Sequence, residues 1–140
     1  MKRLIAACSL LLLLSMSVFG GEGHSHGPGQ VQPTKGGVIM KGEKFFLEVV
    51  GTQNEVRFYP LKPESATGHA LKPIALTDVK LTANFKLPRG AKNEALKLVA
   101  AGDHFVAKIS AKGSHRYEVE ASIETLGEKE KLTYQIEPQE

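Results

Sequence analysis

The ten residues Asp78-Val-Lys-Leu-Thr-Ala-Asn-Phe-Lys-Leu87 alternate without interruption. Val79, Leu81, Ala83, Phe85 and Leu87 share one parity; Asp78, Lys80, Thr82, Asn84 and Lys86 share the other. A repeat of two belongs to a β-strand with one face in a core and one in water. A helix would spread the same residues around its circumference. Such a strand is stable only when an opposing apolar sheet covers its inner row, so the chain must hold more rows of the same kind.

It does. Phe45, Leu47 and Val49 alternate with Lys44, Phe46 and Glu48, and the partly apolar second face predicts a strand partly covered on both sides. The Gly51-Thr-Gln-Asn54 turn leads to inward Val56 and Phe58. Pro60, Pro63, Gly68 and Pro73 then predict a long surface loop over 60–73, with Ile74 and Leu76 leading into the Val79 row. After the Leu87-Pro-Arg-Gly-Ala91 turn, Leu96, Leu98 and Ala100 form the next inward set. The Ala, Lys, Glu and Leu of 91–101 favour helix by propensity, so strand and helix compete there. Phe105, Ala107 and Ile109 follow the tight Gly102-Asp103 connection. Tyr117, Val119, Ala121 and Ile123 alternate with Arg116, Glu118, Glu120 and Ser122, and Leu132, Tyr134 and Ile136 close the chain. About seven to eight short strands, spaced by turn signals roughly every 8–12 residues, predict an all-β, antiparallel β-sandwich over 38–140.

The start of the chain has a different character. Lys2 and Arg3 precede an apolar run from Leu4 to Leu14, and Ser15–Gly20 is small and weakly polar, with Val18 and Gly20 at the −3 and −1 positions of a peptidase site. Residues 1–20 thus predict a cleavable export signal and a periplasmic destination. The run falls short of the roughly 20 apolar residues that span a bilayer, so no stable membrane insertion is expected after cleavage. Ile5-Ala-Ala-Cys8 resembles the end of a lipoprotein signal, but the apolar segment continues past Cys8.

Removing residues 1–20 takes away two of the 18 Lys and Arg and leaves 16 against 15 Asp and Glu, a charge of +1 that implies no nucleic-acid or membrane-surface partner. It also takes the single cysteine, Cys8, so neither a disulfide nor thiol chemistry is expected. Residues 21–37, rich in glycine and poor in apolar side chains, predict a disordered His/Gly arm, with order starting near Val38.

That arm carries the one ligand-like pattern, His24-Ser25-His26. In extended backbone, side chains two apart point the same way at about 6.5–7 Å. Two neutral imidazoles can then close on one Cu(II), Zn(II) or Ni(II), with Glu22 or the new amino terminus as third donor. Binding would be weak, because the same contacts must order the arm. The alternative is a solvated tail in which both histidines are inert. Cleavage one residue later would leave Glu22-Gly-His24, a square-planar Cu(II) or Ni(II) geometry, but it puts Phe19 at an unfavourable −3 position. His69 falls in the long loop, His104 is out of phase with Phe105 and should face solvent, and His115 belongs at the sandwich rim. Met40 is expected to pack. No Gly-rich phosphate loop, nucleophile elbow or mature cysteine appears, so no enzyme is expected.

Several stretches resemble the small exported immunoglobulin-like domains found with bacterial heavy-metal efflux systems and within their adaptor (membrane-fusion) subunits. They are His24-Ser-His-Gly27, Gly36-Gly-Val38, Lys44-Phe-Phe-Leu-Glu-Val-Val50, Val56-Arg-Phe-Tyr59, Leu71-Lys-Pro-Ile74, Val79-Lys-Leu-Thr-Ala83, His104-Phe-Val-Ala107 and Tyr117-Glu-Val-Glu-Ala121. The resemblance implies an Ig-like sandwich tied to transition-metal handling and docked on an efflux or envelope partner. Pro60-Leu-Lys-Pro63 lacks the acidic residues usual after the second strand, which leaves His24 and His26 as the metal ligands carried over. The competing expectation is a structural or adhesive envelope module with no metal role.

Overall fold

The computed structural model describes residues 31–66, 70–90 and 92–140. The expected signal (1–20), His24, His26 and His69 lie outside the described residues. Ten strands run in chain order: β1 (Val38–Lys41), β2 (Phe46–Gly51), β3 (Glu55–Pro63), β4 (Leu71–Pro73), β5 (Lys80–Lys86), β6 (Glu94–Ala95), β7 (Val99–Ala101), β8 (His104–Lys108), β9 (Tyr117–Thr125) and β10 (Glu128–Ile136). They form two antiparallel sheets. One has the order β1-β2-β3-β8-β7, with β4 also on the free edge of β3; the other has the order β10-β9-β5-β6. The fold is all-β and sandwich-like.

The alternating rows meet in one core. Phe45, Leu47, Val49, Val56 and Phe58 from the larger sheet face Val79, Ala83, Phe85, Tyr117, Val119, Ala121, Ile123, Leu132, Tyr134 and Ile136 from the smaller one. Leu81 and Leu87 complete the Val79 row as half-buried members, and Met40 packs on the cluster as expected. Two hydrogen bonds cross between the layers. Tyr134 Oη donates to the Leu47 carbonyl at 3.1 Å and Tyr117 Oη to the Thr52 carbonyl at 3.0 Å. Burial pushes the pKa of both phenols well above the ordinary tyrosine value, because the phenolate would lose its hydration.

Three expectations need correction. There are ten strands among the described residues, not seven to eight: β4 falls in the expected loop, β1 precedes the first expected row, and 91–101, read as one inward set, divides into β6 and β7. The 60–73 stretch is not one long surface loop. β3 runs on through Pro60 to Pro63, and β4 folds back on it with Leu61 opposite Pro73. Proline removes a donor but keeps its acceptor, and the Pro60 carbonyl accepts the Ile74 N–H at 3.0 Å. Finally, β5 starts at Lys80, after a single 3-10 turn over Leu76–Asp78.

The ambiguous 91–101 stretch takes the strand state. β6 pairs with β5 in one sheet and β7 with β8 in the other, so the chain changes layers between them. Leu96 and Leu98 pack against the core along that crossing. Ala100 keeps the inward parity opposite Phe105, yet stays exposed because β7 is the last strand of its sheet.

Candidate functional site

Glu48 is an acidic residue on the outward parity of β2, yet it is fully buried. What covers it is the chain leading out of the histidine arm. One carboxylate oxygen accepts the Lys35 N–H at 2.8 Å and the Gly37 N–H at 3.2 Å; the other accepts the Thr34 N–H at 3.2 Å and the Thr34 hydroxyl at 3.4 Å. Backbone amides gathered on a carboxylate make a strong, charge-assisted cradle. Ordered backbone therefore reaches back to Thr34, past the start at Val38 read from composition.

The two glycines ahead of β1 make this approach possible. Gly36 adopts a left-handed φ of +77°, and at Gly37 the backbone lies so close to the Val49 carbonyl that any Cβ would overlap it. The Gly36 carbonyl also accepts from Gln139 Nε2, which ties the arm root to the C-terminal segment. Gln139 N–H in turn donates to the Gly51 carbonyl at 2.8 Å.

Next to Glu48, the same outer face carries a polar cluster. Tyr59 stands opposite Glu48 in the β2–β3 register. The His104 ring lies on the Tyr59 ring with centroids 4.8 Å apart. Lys35 Nζ sits 5.4 Å from the Tyr59 centroid and 3.8 Å from Asp103 Oδ2. His104 Nδ1–H donates to Asp103 Oδ1 at 3.0 Å. That hydrogen bond, helped by the Lys35 charge, holds the Asp103 carboxyl below its usual pKa. The cluster tacks the arm root down a second time. The cation over the tyrosine ring is worth about 0.5–1 kcal/mol at an exposed site.

Of the sequence-predicted histidines, His104 and His115 lie among the described residues, and the fold does not bring these two together. His104 does take the outward parity, but it does not simply face solvent: its side chain is only 22% exposed, because Tyr59 covers it. His115 is at the rim, exposed, and lines a cleft with Leu87, Arg89 and Arg116. His104 lies next to Tyr59, whereas the turn before His115 bonds to Gln53, roughly 20 Å away along the strand direction. Among the described residues no three of His, Cys, Asp and Glu converge on a metal-sized site. Also among the described residues, no helix is long and apolar enough to cross a membrane.

Glu48 was not singled out from sequence, although the signal was present. It is the one acid in Lys44-Phe-Phe-Leu-Glu-Val-Val50, a strand expected to be partly covered on both faces. No protein-family model, curated protein or solved structure matches the chain.

Proposed function

We propose that the chain is an exported, non-enzymatic binding module of the periplasm. His24 and His26 hold a divalent transition metal (copper, zinc or nickel) on the arm, while the sandwich docks an efflux or envelope partner. The observation that carries this reading is the double attachment of the arm root: the Glu48 carboxylate and the Tyr59–His104–Asp103 cluster grip Thr34–Gly37. A tail with no task has no need of a buried carboxylate at its base.

Seven residues separate His26 from Thr34, so eight Cα–Cα steps give a reach of at most roughly 28 Å. An ion held by the arm therefore stays close to whatever the sandwich docks on, at high effective concentration. The strand order supports the immunoglobulin-like part of the reading. β3 pairs with β8 in one layer and β5 with β9 in the other, the B–E and C–F pairing of that Greek key.

Calorimetric titration of the signal-free chain with Cu(II) and Zn(II), beside His24→Ala/His26→Ala, tests it. Binding heat in the parent that disappears in the double variant is expected. Equal heats in both, or none in either, would favour an inert arm on a structural or adhesive envelope module. Intact mass of exported material checks removal of residues 1–20.

A further inference from the structure

At the end of the sandwich where β5 stops and β9 starts, the 87–90 and 111–116 turns enclose a cleft. Its walls carry Arg89, Lys112, His115 and Arg116 over a floor of Leu87 and Pro88, and no carboxylate lines it. Lys86 and Lys92 flank it. On the sheets some cations have partners, Lys44 with Glu128, Arg57 and Lys108 with Glu55, Lys131 with Glu120, while Lys41, Lys62 and Lys72 have none among the described residues. Among the described residues, Arg89, Lys92, Lys112 and Arg116 form no ion pair. On a signal-free chain with a net charge of only +1, this is a local excess of positive charge in a concave place, where the field is focused.

The walls are preformed. Gly90 N–H closes onto the Leu87 carbonyl at 2.9 Å and Ser114 N–H onto the Ala111 carbonyl at 2.9 Å. Gln53 clamps the second turn from both sides, donating to the Ser114 carbonyl at 3.0 Å and accepting the Gly113 N–H at 3.1 Å. Within that turn Lys112 is held at a φ of +51°, a conformation where Gly or Asn is the low-energy choice.

We infer that this cleft docks an acidic peptide segment of a partner protein, with carboxylates on Arg89, Lys112 and Arg116 and an apolar side chain on Leu87 and Pro88. A continuous polyphosphate is a poorer fit, because Glu118 and Glu94 stand on the neighbouring walls. The inference gives a chemistry to the docking half of the proposed function, on which it rests, and is independent of the metal half.

The test uses fluorescence anisotropy on the whole signal-free chain. The probe is a labelled peptide of alternating Glu and Leu, compared with its Gln-for-Glu counterpart, phosphatidylglycerol vesicles and inorganic phosphate. The Glu–Leu peptide is expected to bind in a salt-sensitive way. Arg89→Glu/Arg116→Glu should weaken it about tenfold or more. Lys41→Glu/Lys72→Glu, the same change in net charge at exposed positions outside the cleft, should leave it unchanged, as should His24→Ala/His26→Ala. If the charge reversals lower the thermal midpoint, Arg89→Gln/Arg116→Gln supplies the reading instead. No peptide binding, equal binding of the Gln counterpart, stronger binding to vesicles, displacement by phosphate, or equal losses in both reversal pairs would overturn the inference. If peptide binding is absent while Cu(II) heats persist, the cleft falls and the metal arm stands. Peptide binding without metal heats is the converse.

Discussion

Glu48 presents a problem that its four donors solve. A carboxyl group removed from water needs hydrogen-bond donors for its oxygens, and Thr34, Lys35 and Gly37 provide them. Glu48→Ala is expected to cost about 2–3 kcal/mol of stability in urea unfolding, because it leaves covered N–H groups without an acceptor. Glu48→Gln keeps one acceptor and should cost less. In both variants the Lys35 and Gly37 amides should exchange with solvent faster than in the parent; unchanged exchange would mean that Glu48 does not hold the arm root. The two buried tyrosines add a dependence on pH. Their folded pKa values lie above the ordinary 10.0, so near neutrality they are protonated in both states and neutral to the balance. Above about pH 10 the unfolded chain releases protons that the folded chain retains, and stability falls as pH rises. Tyr117→Phe and Tyr134→Phe should flatten this alkaline decline in unfolding curves, each at the cost of one hydrogen bond between layers. A decline as steep as the parent's would assign it to the lysines.

The β9–β10 hairpin shows what an element can carry against its own local preference. Thr125 pairs with Glu128, which leaves Leu126 and Gly127 as a two-residue turn with φ of +53° and +78°. Positive φ at both positions is the twist that suits a hairpin, and Asn-Gly is the favoured pair. Leucine is tolerated there because nine-residue strands on either side over-determine the turn. Leu126→Asn should raise the thermal stability by about 0.5–1 kcal/mol, while Leu126→Val should lower it. A midpoint for Leu126→Asn below the parent's would show that the half-exposed leucine makes a contact worth more than the strain. At this scale the sequence was legible where a row had period two over many residues, as in 78–87 and 117–123. It was less legible where an element is two or three residues long: β4 lay in the expected loop, and the single inward set of 91–101 divides into β6 and β7 on different sheets. Their existence depends on a partner strand distant in sequence, and neither propensity nor proline placement reports that partner.

Across the whole molecule, the alternating rows implied two facing sheets and a core without sulfur bridges. Their order, β1-β2-β3-β8-β7 against β10-β9-β5-β6, was not readable, because generic apolar rows do not specify their neighbours. The candidate site was half legible for a related reason. His24-Ser25-His26 announces itself by spacing alone, and those residues lie outside the described part of the chain. The anchor for their arm is a contact between residues 34–37 and Glu48, and the basic cleft joins two turns separated by some 20 residues, so both required coordinates. The central claim is that the arm takes the metal while the sandwich holds it in place. Paramagnetic Cu(II), added in substoichiometric steps to the isotope-labelled signal-free chain, tests it by amide NMR. The expected result is early loss of the signals around His24 and His26, with those of Val56–Phe58 and Tyr117–Ile123 unchanged. Loss centred on His104 or His115, or spread evenly over the sandwich, would contradict it.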